Sequence, residues 1–434
     1  MAQVPGDVAR GADRVVRLGR FVPVCMRAIA PPPPPARTSQ GALIINLVAQ
    51  LAFGLLAMTI CIPSMQEWGA LFGTSQAAVQ LTFSAYVVAY GVVQLLYGPL
   101  SDRLGRKKIL LFGLVLGGLG SALAALAPDI GTLSAARALQ GAGCAAGAVV
   151  VRAMVQDLFV GPERTRVMAY IGMAMGVCPP LATILGGQLH VRLGWQANFV
   201  VMALMAALLF AAAWRGLPDQ PARTAAGQEP QAHWLREMGR AYARLAREPG
   251  FLLYVAVISF TTATFYAFLA GAPIVLGSYG VGPAGIGYYI MAVPLSYIVG
   301  NYLTTHLVQR IGERSVMRLG QGTALCGIAL TIVLALAGVH TPLALALPLM
   351  LLGIGHGLLV PPTLIGTVGL LPALAGSAAA VAGLMQQLMG AVGGFAVGLV
   401  PHQGALNLGW VMFGLSASAA LAMAGLQRGQ ARRT

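Results

Sequence analysis

Three polar side chains stand within long apolar stretches of this 434-residue sequence, where a charge or a proton is costly to hold. Arg137 and Gln140 are three residues apart, so a helix places them on one face. His356 lies in the middle of another apolar stretch, and imidazole is the side chain that titrates closest to neutral pH. Such groups can orient a polar molecule or exchange a proton. We therefore take Arg137, Gln140 and His356 as candidate coupling residues.

Each of these residues has a second interpretation based on packing. Arg137 lies about two turns into its stretch, roughly 9 Å deep at 1.5 Å per residue. It therefore either faces a water-filled cavity or extends back to the nearer end of the stretch. Gln140 either orients Arg137 or contacts a substrate. His356 either carries a proton or is a neutral, hydrogen-bonded packing residue.

The composition is that of a membrane protein. Hydrophobic residues make up 57% of the chain, charged residues only 9%, and the mean hydropathy is +0.77. Soluble proteins carry about a quarter charged residues. About 20 apolar residues in a helix cross the roughly 30 Å hydrocarbon core. The sequence predicts an all-α integral membrane protein with twelve transmembrane helices, at 43–65, 77–98, 109–127, 131–152, 166–188, 197–214, 250–273, 284–306, 317–338, 342–363, 376–400 and 405–426.

The predicted spans form two six-helix halves, 42–214 and 250–427, with a central cavity between them. The polar segment 215–249 is predicted to be a cytoplasmic linker, in which 233–247 forms an amphipathic helix on the membrane surface or a solvated one. Residues 1–41 are predicted to be a disordered, basic, proline-rich cytoplasmic extension, for which Met26 is an alternative start. The last segment, 428–434, is predicted to be a cytoplasmic tail.

The basic residues predict the orientation of the protein. With both termini in the cytoplasm, all of the 27 Lys and Arg except Arg137 and Arg192 fall in or beside cytoplasmic segments, as the positive-inside rule requires. The net charge of +15 is thereby explained by topology, and no nucleic-acid partner is needed. Contact with anionic lipids of the inner leaflet of the bilayer is expected.

A short charged loop joins the second and third predicted spans. Gly98 and Gly105 allow close helix approach and a sharp turn. The carboxylate of Asp102, with Arg103 and Arg106 beside it, could dock at the amino end of the eleventh span, where unpaired amides favour negative charge. The loop is then either a conformational latch between the halves or only a marker of topology.

Three sequence motifs resemble those of a known family. They are Gly98-x-Leu100-x-Asp102-Arg103-x-Gly105-Arg106-Lys107-Lys108 after span two, Leu133-x-x-x-Arg137-x-x-Gln140-Gly141-x-Gly143 in span four, and the Gly/Pro-rich segment from Gly172 to Gly187 in span five. In these positions they resemble the signature motifs of the major facilitator superfamily. The pattern is most similar to the Bcr/CflA-type branch, the bicyclomycin and chloramphenicol resistance transporters, and the resemblance covers about residues 43–426.

This resemblance implies a secondary transporter of the bacterial cytoplasmic (inner) membrane. It implies export of small amphiphilic compounds or drugs by alternating access, coupled to protons by antiport. It also implies that span five seals the route between the halves, through Gly176, Pro179, Pro180, Gly186 and Gly187. We expect a monomer in the lipid bilayer, with a small-molecule substrate and no cofactor or metal.

One departure from the family bears on the coupling. Aligned on Pro63, the acid that this branch carries in span one falls at Thr59, which cannot titrate. None of the twelve acids lies in the middle of a predicted span. The sequence therefore favours neutral, amphiphilic or anionic cargo over cations. Glu67, at the outer end of span one, is expected to be a solvated charge.

The candidate lining of the cavity consists of polar or aromatic residues within apolar spans. They are Tyr86, Tyr90, Gln94, Tyr266, Tyr288, Gln386 and Gln387. An importer of a small metabolite with the same fold is the main alternative function. A membrane-embedded enzyme is disfavoured, because His356 has no acid partner in the spans and no other catalytic cluster is visible.

Overall fold

The computed structural model describes residues 40–219, 234–371, 374–401 and 403–431. These residues form helices and no strands. The helices are α1 (Gln40–Thr59), a 3₁₀ turn (Ile62–Ser64), α2 (Met65–Leu71), α3 (Gln76–Leu104), α4 (Arg106–Ala125), α5 (Ile130–Leu158), α6 (Gly161–Leu193), α7 (Gln196–Gly216), α8 (Trp234–Leu245), α9 (Pro249–Ser278), α10 (Pro283–Ile290), α11 (Ala292–Ile311), α12 (Glu313–Leu336), α13 (Pro342–Gly369), α14 (Ala375–Gly398) and α15 (Ala405–Ala431).

Twelve of the helical segments are long and apolar enough to cross a membrane, which confirms the predicted fold class. Span one comprises α1, the 3₁₀ turn and α2, and span eight comprises α10 and α11. The other spans are single helices. Spans two, four and five are longer than predicted, at 29, 29 and 33 residues, because each helix continues past its apolar window into charged sequence. The predicted extension at 1–41 lies almost entirely outside the described residues.

Local chemistry marks where the helices begin and turn. The Ser75 side chain accepts a hydrogen bond from the Ala78 amide and caps α3, and Asp129 caps α5 in the same way. Hydrogen bonds from Thr132 and Gly131 hold the pKa of the Asp129 carboxyl below its usual value. Gly105 joins α3 to α4 with φ of +99°, a conformation that glycine adopts without strain.

Helix packing repeats between the two sets of six spans. Span four packs on spans one, two and three, and span ten packs in the same way on spans seven, eight and nine. Span one also packs on spans five and six, as span seven packs on spans eleven and twelve. Between the sets, span two packs on span eleven and span five on span eight. The contact of span two with span eleven thus corresponds to the contact of span eight with span five. The two sets are therefore related by pseudo-twofold symmetry, as the predicted 6+6 plan requires.

Small residues allow the helices within each set to approach closely. A Cβ atom at Gly143 of span four would lie 2.1 Å from the backbone nitrogen of Gly117 in span three. In the second set, a Cβ at Gly320 of span nine would lie 2.6 Å from the carbonyl oxygen of Gly355 in span ten. Without a hydrophobic driving force inside lipid, such close van der Waals contact holds membrane helices together.

The described end of the linker helix α8 contacts span eleven. Tyr242 and Leu245 pack in a small core with Ala378 and Ala382 at the start of span eleven, and Leu245 is 1% exposed. This part of α8 therefore rests on protein, because its apolar side meets the small side chains of span eleven. The structure describes the backbone of residues 234–238 but not their side chains.

We predict that Gly143→Val destabilises the protein by about 3 kcal/mol or more, because backbone atoms of Gly117 cannot move aside for the new side chain. The matched control is Gly172→Val, since a Cβ at Gly172 meets nothing within 4 Å. Thermal unfolding of the two purified variants in detergent measures the difference. Equal unfolding temperatures would show that the glycine contact does not limit helix packing.

Candidate functional site

Arg137 is completely buried, with 0% of its surface exposed. Its Nη1 atom donates hydrogen bonds to the Ala57 carbonyl oxygen at 2.7 Å and to the Gln140 Oε1 atom. Its Nη2 atom donates to the Met58 carbonyl oxygen at 3.3 Å, and Nε has no partner among the described residues. Most hydrogen bonds that the Arg137 side chain donates therefore go to carbonyl groups in the last turn of α1.

Aromatic rings and an amide complete the surroundings of the guanidinium. Its central carbon lies 4.3 Å from the Tyr86 ring centroid and 5.8 Å from that of Phe199, both within cation–π range. The Gln140 Nε2 atom donates to the Ser121 hydroxyl at 2.7 Å, which donates to the Gly117 carbonyl oxygen. This Arg137 cluster therefore joins spans one, two, three, four and six.

No carboxylate neutralises Arg137 among the described residues; its partners there are neutral oxygens and aromatic faces. The carbonyl end of a helix carries about half a negative charge, so the end of α1 supplies the compensating charge. Both earlier interpretations of Arg137 are therefore wrong: it neither faces a cavity nor extends toward the membrane surface. Gln140 orients it and is itself 0% exposed.

A second cluster lies between spans two, seven and eleven. The Tyr266 hydroxyl donates to the Gln387 Oε1 atom at 3.0 Å. Gln387 packs directly on Gly91, where a Cβ would lie 2.5 Å from the Gln387 Cβ. Tyr90, one residue before Gly91, stacks on Tyr86 with ring centroids 6.0 Å apart. This central cluster of Tyr90, Gly91, Tyr266 and Gln387 joins the two sets of helices through uncharged groups.

The other predicted lining residues occupy different positions. Tyr86 is 0% exposed and donates to the Gly54 carbonyl oxygen at 2.7 Å, so it belongs to the Arg137 cluster. Gln94 and Gln386 are half-buried on the spans that carry the central cluster. Tyr288 is 56% exposed. The residue before it, Gly287, packs on Ile184 of span five.

His356 and Thr59 are separate from both clusters. His356 is 5% exposed, and no hydrogen bond of its ring to a described residue is present. Thr59 is buried, and its hydroxyl donates to the Leu55 carbonyl oxygen at 2.9 Å. The structure therefore brings Arg137 and Gln140 together but places His356 apart from them in the other set of helices.

The charged loop after span two is held by its own side of the molecule. Arg106 binds the Asp102 carboxylate at 2.6 Å, the Ser101 hydroxyl at 2.6 Å and the Asp157 carboxylate at 3.3 Å. Asp157, at the end of span four, was missed because 51 residues separate it from Arg106 and no motif links them. Arg103 is exposed. Gly98 has one neighbour, a Val149 methyl 3.9 Å from a Cβ position.

The contacts between the two sets differ along the length of the bundle. We call the end that carries Asp102 and the linker the basic end, and the opposite end the far end. Toward the far end, Gln80 donates to the Ala270 carbonyl oxygen at 3.0 Å and Ser84 to the Ala391 carbonyl oxygen at 2.9 Å. At the basic end, a Cβ at Gly376 or Gly383 of span eleven, or at Gly172 of span five, would meet nothing within 4 Å. The cross-set hydrogen bonds of the described residues thus close the far end, whereas these three glycine positions at the basic end have open space beside them.

The residues of the predicted span-five seal lie along the closed part. A Cβ at Gly186 would lie 1.8 Å from the Ile60 carbonyl oxygen, and one at Gly187 would lie 2.2 Å from that of Pro283. A Cβ at Gly176 would lie 3.1 Å from the Ile298 side chain of span eight. Inside the same helix, Pro180 accepts a hydrogen bond from Thr183 and Pro179 is half-buried.

One polar group at the far end was not predicted. The His190 Nδ1 atom lies 2.9 Å from the Ser64 hydroxyl, and Nε2 lies 2.9 Å from a Glu67 carboxylate oxygen. Asn198 Nδ2 donates to the same hydroxyl at 3.1 Å. Glu67 is therefore paired rather than only solvated. More than 120 residues separate Glu67 from His190, so no sequence spacing could have indicated the pair.

Comparison with known proteins identifies the family. The model described as Major Facilitator Superfamily matches residues 42–394, most of the helical region. This chain belongs to the major facilitator superfamily. It is a transporter rather than an enzyme, and a multi-pass protein of the inner-membrane type.

The Ser64 hydroxyl, the His190 imidazole and the Glu67 carboxylate form a hydrogen-bonded series like that of a hydrolytic triad. Ser64 is 0% exposed, however, so its hydroxyl cannot contact a substrate.

Relatives narrow the resemblance to drug-resistance proteins. The chloramphenicol resistance protein of Pseudomonas aeruginosa is 28% identical over 390 residues, covering 88% of this chain and 91% of the relative. Multidrug resistance protein D of Escherichia coli K12 is 28% identical over 375 residues, covering 85% and 92%. A crystal structure of the peptide transporter POT in complex with sulfate shares the fold, with a TM-score of 0.71, 14% identity and coverage of 91% and 96%.

We predict that Arg137→Met destabilises the protein by about 2–4 kcal/mol and reduces transport more than tenfold, because buried carbonyl groups lose their charged donor. Arg152→Met is the matched control for stability on the same helix, since the Arg152 guanidinium donates to the Met175 sulfur at 3.5 Å rather than to a buried carbonyl group. Thermal unfolding and transport assays measure both effects. An Arg137→Met protein with wild-type stability would contradict a structural role for the guanidinium.

Proposed function

We propose that this protein exports small, uncharged amphiphilic compounds by alternating access, in exchange for protons. The central cluster carries this proposal, because there spans two, seven and eleven meet through Gly91, Tyr266 and Gln387, with Tyr90 next to Gly91. A phenol, an amide and aromatic faces can hold a molecule that is apolar over most of its surface and polar at a few atoms. The resistance proteins among the relatives support the same class of cargo.

The distribution of charge supports uncharged cargo. Every described acid lies at or beyond the end of a helix, and none lies beside the central cluster. A cationic cargo would therefore leave water without a compensating carboxylate. Arg137, a buried cation that lies against Tyr86, is already satisfied by α1 and is covered by that ring. It therefore adds a positive field without offering a binding surface.

The basic end is proposed to face the cytoplasm. The basic residues of the charged loop, the linker and the loop after span eight are at this end, as the positive-inside rule requires. The cross-set hydrogen bonds toward the far end support an inward-open state, in which the span-five glycines seal the outside. In the outward-open state, we propose that Asp102 leaves Arg106 and docks at the start of span eleven near Gly376, forming the latch.

We include proton exchange in the proposal because the motif in span four resembles that of proton-coupled transporters. His356 is the titratable side chain at membrane depth that remains a candidate for this exchange, since Arg137 and Gln140 are bonded to each other and to α1. A monomer in the bilayer contains both sets of helices and the central cluster. Import of a metabolite by the same fold stays the alternative, because the central cluster has no direction of its own.

The test is accumulation of a panel of neutral, cationic and anionic amphiphiles in cells that lack their own efflux pumps. Expression should lower the intracellular level of neutral amphiphiles. Gly91→Leu should abolish the effect, because its side chain would displace Gln387, whereas Gly414→Leu, at a position with nothing within 4 Å of a Cβ, should not. Higher intracellular levels on expression would establish import instead.

We predict that Asp102→Asn shifts the protein toward the inward-open state and slows transport about tenfold, because a neutral amide binds a helix amino end more weakly than a carboxylate. Asp219→Asn is the control, since Asp219 is an 89% exposed partner of Lys107 at the same end. Labelling of basic-end positions in the two variants reports the state. Unchanged labelling and unchanged transport in Asp102→Asn would remove the latch.

A further inference from the structure

We propose that His190 is a proton-binding site at the far end of the molecule, through which protons on that side favour closure of the seal. His190 lies between Ser64 and Glu67, which belong to the broken end of span one. The proposal rests on alternating access as proposed above, but it assigns a site that neither the motifs nor the family resemblance contains.

The hydrogen bonds around His190 are complete for its neutral form. With the proton on Nε2, His190 donates to Glu67, and the Ser64 hydroxyl donates to Nδ1. Asn198 Nδ2 then donates to the Ser64 oxygen. One atom stays idle: the Asn198 Oδ1 atom is buried and has no partner.

The Asn198 Oδ1 atom can accept the hydrogen bond that protonation of His190 makes necessary. A charged imidazole donates from both nitrogens, so Nδ1 now donates to the Ser64 oxygen, and the Ser64 hydroxyl needs a new acceptor. Half a turn of the Asn198 amide places Oδ1 where Nδ2 was, toward that hydroxyl. The same four side chains can therefore hold His190 in either state, and the added proton converts its contact with Glu67 into an ion pair.

The site is open to protons while Ser64 and Asn198 are shielded. The Glu67 side chain is 52% exposed and that of His190 10% exposed, whereas Ser64 and Asn198 are 0% exposed. A proton can thus reach the pair from the far side even in the closed state. Glu67 on α2 is the ionisable group in contact with His190. The other ionisable groups on elements that pack on α6 toward the far end are Tyr288 and Tyr289 on α10 and Arg137 on α5, with Arg192 on α6 itself.

The position of the pair connects the proton to the seal. His190 follows Gly186 and Gly187 by one turn, and Ser64 follows Ile60, the residue that Gly186 contacts. The segment that carries Ser64 and Glu67 also packs on spans seven and eight of the other set, where Gln66 lies 3.1 Å from a Cβ position at Gly277. Protonation of His190 therefore holds the segment of Ser64 and Glu67 in the position that closes the far end.

The experiment measures the far-end distance by electron spin resonance, with labels at Leu126→Cys and Val339→Cys after the accessible native cysteines are replaced by alanine. Both positions are exposed turns at the far end, one in each set. Lowering the pH from 8 to 5.5 should raise the closed population about two- to fivefold, as expected for a partly exposed ion pair with a histidine. His190→Gln and Glu67→Gln should both be insensitive to pH, and His340→Gln, which changes another exposed far-end histidine, should keep the wild-type response.

Two variants keep the test valid if one is unstable, because Glu67→Gln removes a half-exposed charge without creating a cavity. A wild-type pH response that persists in both His190→Gln and Glu67→Gln would overturn the proposal, as would a wild-type protein that moves cargo but shows no pH response. A wild-type protein that moves no cargo and never opens would instead contradict the proposed function.

Discussion

The structure depends most on how one permanent positive charge is held inside an apolar bundle. No acid in the described part of the chain lies beside Arg137, and removing a guanidinium from water without compensation costs many kcal/mol. The end of α1 supplies the compensation through the Ala57 and Met58 carbonyl groups. Those carbonyls are free because the α-helix stops at Thr59 and the chain turns before α2. The break in span one and the buried arginine therefore stabilise each other.

This arrangement separates two tasks. The Arg137 cluster joins five spans of the first set, while the central cluster joins the two sets through neutral groups. Tyr86 and Tyr90 are the link between them, one ring lying over the guanidinium and the other facing the central cluster. A rigid first set with an uncharged contact surface is suited to rocking against the second set around a cargo that carries no charge.

Much of the fold followed from the sequence because each deciding signal was local. The twelve apolar runs and the turn at Gly105 are properties of short segments. The site was less predictable because its contacts join distant segments. The sequence paired Arg137 with Gln140 through helical spacing, but nothing in it showed that main-chain oxygens would replace a carboxylate. Asp157 beside Arg106 and Glu67 beside His190 were missed for the same reason, since each pair forms only after the helices pack.

The central claim is that a transporter without a buried acid moves neutral cargo at the expense of a proton gradient. Its most direct test is transport into proteoliposomes under an imposed pH gradient, comparing a neutral amphiphile with a cationic amphiphile of similar size. The account predicts gradient-driven transport of the neutral compound, reversed when the gradient is reversed, and little transport of the cation. Transport that prefers the cation, or that ignores the gradient, would contradict it.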